Sequence, residues 1–176
     1  AFGAQPIKTT AAASITSSLT VIVQDQFGNT VTGSSASVTM SSGNTGFTGG
    51  SVLTVAAVSG VATFNTVQPT TAGTLRTLAA ASGALTGTTS GTFTVNPAAA
   101  AKLAFGVQAS DTIAGVSISP AVTVQILDQF GNMTSSSASV TISSGNTGFT
   151  GGSVLTVAAV SGVATFNTVQ PTTAGT

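Results

Sequence analysis

The chain has 176 residues, of which only 3% are charged: Lys8, Arg76 and Lys102 against Asp25, Asp111 and Asp128, with no net charge. Glutamate, histidine, cysteine, tryptophan and tyrosine are all absent. Three scattered cations cannot neutralise a phosphate track, so nucleic acid is excluded as a partner, and the missing thiols and imidazoles exclude disulfide staples and the usual zinc sites. Mean hydropathy is high, at +0.51. No run approaches the ~20 apolar residues of a spanning helix, so membrane insertion is not expected. The start, Ala1-Phe2-Gly3, has neither a basic nor a long apolar segment. It reads as the start of a mature or internal fragment.

In chain order, an opening strand is expected within Phe2–Thr9. Next comes Leu19-Thr20-Val21-Ile22-Val23-Gln24, an alternating stretch whose side chains at every second position share a face. Later strands are expected near Ser37–Met40, Val52–Ala57, Val61–Asn65, Leu75–Ala80 and Thr89–Val95. Glycine and asparagine punctuate them, as at Gly28-Asn29, Gly43-Asn44 and Gly49-Gly50. Val58-Ser59-Gly60-Val61 has the form of a tight hairpin. The alanine-rich segment after Pro97 is expected to be linker, over 96–103.

Then the chain repeats itself. Ala1-Phe2-Gly3 returns as Ala104-Phe105-Gly106, and Asp25-Gln26-Phe27-Gly28-Asn29 as Asp128-Gln129-Phe130-Gly131-Asn132. Ser41–Thr74 is identical to Ser143–Thr176. The period is about one hundred residues, the size of an immunoglobulin-type domain and too long for a solenoid rung. Comparing the copies identifies the buried face. Leu19, Val21 and Val23 become Val122, Val124 and Ile126, always apolar, whereas Thr20, Ile22 and Gln24 become Thr123, Gln125 and Leu127. The first set is expected to face a core and Ile22 to face out.

The expected fold is all-β: tandem β-sandwich domains, with repeat 1 over 1–103 and repeat 2 over 104–176. Repeat 2 lacks a counterpart of Leu75–Leu103 and so lacks its last two strands, which leaves apolar faces and a sheet edge open. Three arrangements fit. The chain continues as part of a longer repeat protein, a neighbouring chain completes the repeat by β-strand addition, or the domain frame is permuted. The short boundary leads us to expect repeats stacked end to end.

The order of Val23-Gln24-Asp25-Gln26-Phe27-Gly28-Asn29, Gly60-Val61-Ala62-Thr63-Phe64, Gly73-Thr74-Leu75 and the boundary Val95-Asn96-Pro97 to Leu103-Ala104-Phe105 resembles the bacterial immunoglobulin-like repeats of large surface proteins, the invasin/intimin-like group. That resemblance implies extracellular spacers, stalks and adhesins, with no shared active site. The chain departs from the family at Leu75, where relatives often carry a tyrosine.

Reactive groups are scarce. Serine nucleophiles need a base, normally histidine, and paired-carboxylate hydrolysis needs two converging acids. No catalytic residue and no cofactor are expected. Asp25 and Asp128 are weak calcium candidates, with an Asx-type turn as the alternative. Phe47 and Phe149, in glycine-rich loops without the lysine or helix of a phosphate loop, either plug a sandwich end or stand exposed as assembly contacts. Asn132-Met133-Thr134 is a glycosylation sequon, which makes a glycan a candidate attachment at Asn132. The expected role is that of a structural module of an extracellular or cell-surface filament, stalk or sheath, whose partners are copies of itself. The alternative is an adhesin module that binds carbohydrate or a receptor, for which only phenylalanine could supply an aromatic platform.

Overall fold

The computed structural model describes residues 1–173. Among them there are fourteen strands and no helix, in several sheets, a pattern consistent with a β-sandwich type of fold. The chain divides into two compact units, Ala1–Ala98 and Ala99–Thr176.

In unit 1 the strands are β1 (Thr9–Thr10), β2 (Leu19–Ile22), β3 (Ser37–Ser41), β4 (Thr54–Ala56), β5 (Val61–Phe64), β6 (Gly73–Arg76), β7 (Ala79–Ser82), β8 (Leu85–Thr89) and β9 (Phe93–Asn96). β4, β3, β7 and β8 form one four-stranded sheet, β2 pairs with β5, and β1, β9 and β6 form a third sheet. All of them feed one core. Leu19 and Val21 of β2, Ala62 and Phe64 of β5, Val38 and Met40 of β3, Ala80 of β7, and Phe93 and Val95 of β9 are buried together. Alternation set this up: β3 reads Ser-Val-Thr-Met-Ser, with Val38 and Met40 buried and the hydroxyls out.

Leu19, Val21 and Val23 face the core as expected. Ile22, expected outside, is only partly exposed, because Gly3 lies against it. A Cβ on Gly3 would come within 3.0 Å of the Ile22 Cδ1.

Two expected strands are corrected. The stretch Leu75–Ala80 is broken between β6 and β7, which belong to different sheets, and Leu75, inside β6 where its pairing with β9 shifts register, has φ +58°. The stretch Thr89–Val95 is likewise split between β8 and β9. A chain that changes sheets turns its inward face over, so a single alternating pattern cannot run through the change. The opening strand is reduced to a bridge from Phe2 to Val21 and the short β1.

Unit 2 contains β10 (Ala100–Val107), β11 (Val122–Asp128), β12 (Ser139–Thr141), β13 (Thr156–Ala158) and β14 (Val163–Phe166). β11 lies between β10 and β14, and β12 pairs with β13. Val122, Val124, Ile126, Val140, Ala164 and Phe166 form its core with Ile118 and Val169. The boundary segment 96–103, expected to be linker, is strand from Ala100 onward: Ala100 lies opposite Asp128 and Leu103 opposite Ile126. Alanine has low strand propensity on its own, but the neighbouring strand supplies a partner that outweighs it.

The hairpin at Val58–Val61 forms as expected. Val58 and Val61 bridge, and Ser59 (φ +49°) and Gly60 (φ +78°) both lie in the left-handed region, as a type I′ turn requires. Ser161 and Gly162 repeat it in unit 2.

Candidate functional site

The Asp25 carboxylate is committed to its own turn. Its Oδ1 accepts from the backbone N–H groups of Phe27 and Asn29, both at 2.9 Å, and its Oδ2 accepts from the Asn29 side chain at 3.1 Å. Asp128 repeats the arrangement with Phe130 and Asn132, and Asn132 Nδ2 donates to Oδ2 at 2.7 Å. These are Asx turns, and their oxygens already serve N–H donors. Among the described residues no three His, Cys, Asp or Glu side chains come together.

The two turns differ in cover. Asp128 is fully buried beneath the start of β10, whereas Asp25 is exposed and lines a groove of about 560 Å³ between the end of β2 and the β7–β8 hairpin.

Hydrogen bonds, first from the Asn29 side chain and then from its backbone, hold the Asp25 carboxyl below the ordinary carboxylate value. A carboxylate depressed in the folded state supports the turn above its unfolded pKa, and that support is lost as pH falls through the lower folded value. The Asn29 amide resonance is therefore expected to stay unchanged on acidification through the usual carboxylate range and to move only below it. A shift of that resonance centred within the ordinary range would show that the turn does not hold the charge.

Of the sequence candidates, Phe47 and Phe149 are neither fully buried nor fully exposed. Each ring is partly buried against its unit's core, and each residue bridges a proline, Pro69 and Pro171 respectively. The loop before Phe47 is also anchored: the Arg76 guanidinium donates to the carbonyls of Asn44 and Ala72, and Asn44 Nδ2 donates to the Leu75 carbonyl at 3.0 Å. Arg76, one of the chain's three cations, is thus a clamp on backbone, a role its sequence position gave no sign of.

The sequon is also engaged by the fold. Beyond the Asn132 bond to Asp128, Thr134 is buried and its hydroxyl donates to the Ile126 carbonyl at 2.9 Å. A glycan at Asn132 would be carried on the same amide nitrogen that donates to Asp128.

The most exposed apolar side chains lie elsewhere, at Phe27, Val58, Leu75, Ile113 and Val160. In unit 2 a second groove, of about 190 Å³, runs between β10 and β12 and is lined by Leu103, Phe105, Val124 and Ile142 among others.

Comparison of the chain with protein-family models, with curated proteins and with solved structures finds no match.

Proposed function

We propose that this chain is a stretch of tandem immunoglobulin-like repeats from an extracellular or cell-surface filament, stalk or sheath, and that it works by shape and by end-to-end and lateral self-association rather than by catalysing a reaction. One observation carries the reading. The edge strands of the four-stranded sheet, β4 (Thr54-Val55-Ala56) and β8 (Leu85-Thr86-Gly87-Thr88-Thr89), hold no charged residue and no proline. Proteins that must stay apart commonly protect such edges with lysine or proline; the β7–β8 pair does shift register between Ala80 and Ser82, but a net charge near zero removes the repulsion that would otherwise keep copies separate.

The outward faces suit the same role. Thr39 and Thr54 contact each other through their hydroxyls across β3 and β4 at 3.1 Å, and Thr141 and Thr156 do so across β12 and β13 at 2.8 Å. Such hydroxyl ladders stabilise cross-strand pairs without charge and leave a neutral surface that a second copy can meet without desolvating ions.

Electron microscopy of the purified chain at rising concentration is the test. Regular fibres or sheets are expected, and they should dissolve when lysine is placed at Val55 and Thr86 on the two edges. Dispersed particles at every concentration would overturn the reading. Phe27, 79% exposed at the tip of the Asp25 turn, favours the adhesin alternative in one respect, since it is the most open aromatic ring. A chain that stayed monomeric and bound a glycan array in a Phe27-dependent way would support that alternative instead.

A further inference from the structure

The strand β4 and its counterpart β13 carry the same residues, Thr54-Val55-Ala56 and Thr156-Val157-Ala158, with the same alternation: threonine and alanine exposed, valine partly buried. Among the described residues each is paired on one side only, β4 with β3 and β13 with β12. The segments that flank a repeat do not reach the other side. In unit 1 the following stretch is present, and its β7 and β8 extend the sheet beyond β3, away from β4. In unit 2 the preceding stretch is present, and its β10 pairs with β11. The edge is therefore a property of the repeat itself.

The register fixes what that edge offers. The Met40 N–H donates to the Leu53 carbonyl at 2.7 Å, and the Ala57 N–H to the Ala36 carbonyl at 2.9 Å. In an antiparallel ladder, residues bonded to the partner alternate with residues whose N–H and C=O point away from it. Leu53, Val55 and Ala57 thus face β3, whereas Thr54 and Ala56 turn their backbone groups outward. The second unit follows the same rule. The Ile142 N–H donates to the Leu155 carbonyl at 2.9 Å and the Ala159 N–H to the Ala138 carbonyl at 3.1 Å, so Thr156 and Ala158 face outward.

An edge of this kind is its own complement. A two-fold axis along the sheet normal, centred on Val55, brings the Ala56 of a second copy opposite Thr54 and its Thr54 opposite Ala56. Each such pair exchanges N–H···O bonds in both directions. The same rotation keeps the core-facing sides of both sheets on one side, which a parallel join would reverse. The side chains beside the seam, Ser37, Thr39, Thr54 and Ala56, are small and uncharged, so the approach desolvates no ion.

We infer that β4 and β13 are the lateral contact between chains, each pairing antiparallel with β4 or β13 of a second copy in the register that sets Thr54 opposite Ala56. The inference rests on the self-association reading and assigns it to one edge. Because both units carry that edge, the chain is bivalent. A two-fold contact through a single edge closes at a dimer, whereas contacts through both let the assembly grow.

Sedimentation velocity of the intact chain and its proline variants is the test. Proline removes an N–H, and a sheet accepts it on an edge strand where that N–H faces outward, as at Ala56 and Ala158. The wild-type chain is expected to grow beyond a dimer as concentration rises. Ala56→Pro should stop at a dimer, and the Ala56→Pro/Ala158→Pro chain should stay monomeric, with the circular dichroism of the wild type. Amide exchange of the wild-type chain needs no variant and decides the matter if the prolines disturb the fold. On assembly, exchange at Thr54, Ala56, Thr156 and Ala158 should slow about tenfold or more, while Val55 and Val157, already bonded within their own sheets, change little. Assembly that persists in the folded double variant, or protection that falls on β8 or another strand instead, overturns this pairing and leaves the self-association reading standing. A wild-type chain that stays monomeric at every concentration overturns both.

Discussion

Replacing Phe64 by alanine is expected to destabilise unit 1 by about 3–5 kcal/mol, the cost of emptying a large aromatic site in a packed core. Phe64 lies opposite Leu19 on the β2–β5 ladder, is 1% exposed, and is among the largest fully buried side chains of the chain. For a domain of this size the loss corresponds to a fall in Tm of roughly 15 °C or more. Phe166→Ala makes the same deletion in unit 2, where Phe166 lies opposite Val122. A loss of similar size is expected there. Thermal unfolding followed by circular dichroism should show F64A and F166A each as a lowered transition. A cost below about 1 kcal/mol for F64A, far under the usual range for such deletions, would mean that the sheets do not enclose this ring.

Gly162→Ala is the second large effect, expected to cost unit 2 about 2 kcal/mol or more. Gly162 has φ +82°, where an L side chain is strained, and a Cβ there would sit 2.0 Å from the Thr134 carbonyl oxygen. Gly60, its equivalent at φ +78°, would meet the Val31 carbonyl oxygen at 2.5 Å. Both turns therefore need glycine for conformation and for space. The residue before each is serine, which tolerates positive φ less well than asparagine. Ser161→Asn, giving the Asn-Gly pair favoured in such turns, should stabilise unit 2 by about 0.5 kcal/mol. Urea denaturation of the two variants should move in opposite directions, and parallel movement would show that turn geometry is not what limits this hairpin.

The elements that could be read from residues alone were those where one strand keeps one face inward. Leu19-Val21-Val23 and the Ser59-Gly60 turn are such cases, and the second copy reinforced both because burial tolerates substitution on one face only. The elements that could not be read are those whose conformation depends on a distant partner. Ala100–Leu103 looks like a spacer until β11 is placed beside it. The stretch from Gly73 to Asn96 changes sheets between Arg76 and Ala79 and again between Thr89 and Phe93, and alternation carries no mark of such a change. The candidate site was legible in the same proportion. Both Asp turns were visible as local Asx patterns. The Arg76 clamp on the Asn44 and Ala72 carbonyls is assembled across the fold and left no local mark.

The identity of β5 with β14, Val61-Ala62-Thr63-Phe64 against Val163-Ala164-Thr165-Phe166, bears on how the chain reaches its native state. During collapse either stretch offers the same side chains and backbone groups to β2 or to β11, so the correct and the crossed pairings begin nearly equal in energy. Only loop length separates them, and the entropy of closing a longer loop grows slowly with its length. Near-identical neighbours are prone to this kind of interchange, and synthesis from the N-terminus, which lets the first unit claim its own strand before the second emerges, is the simplest protection against it.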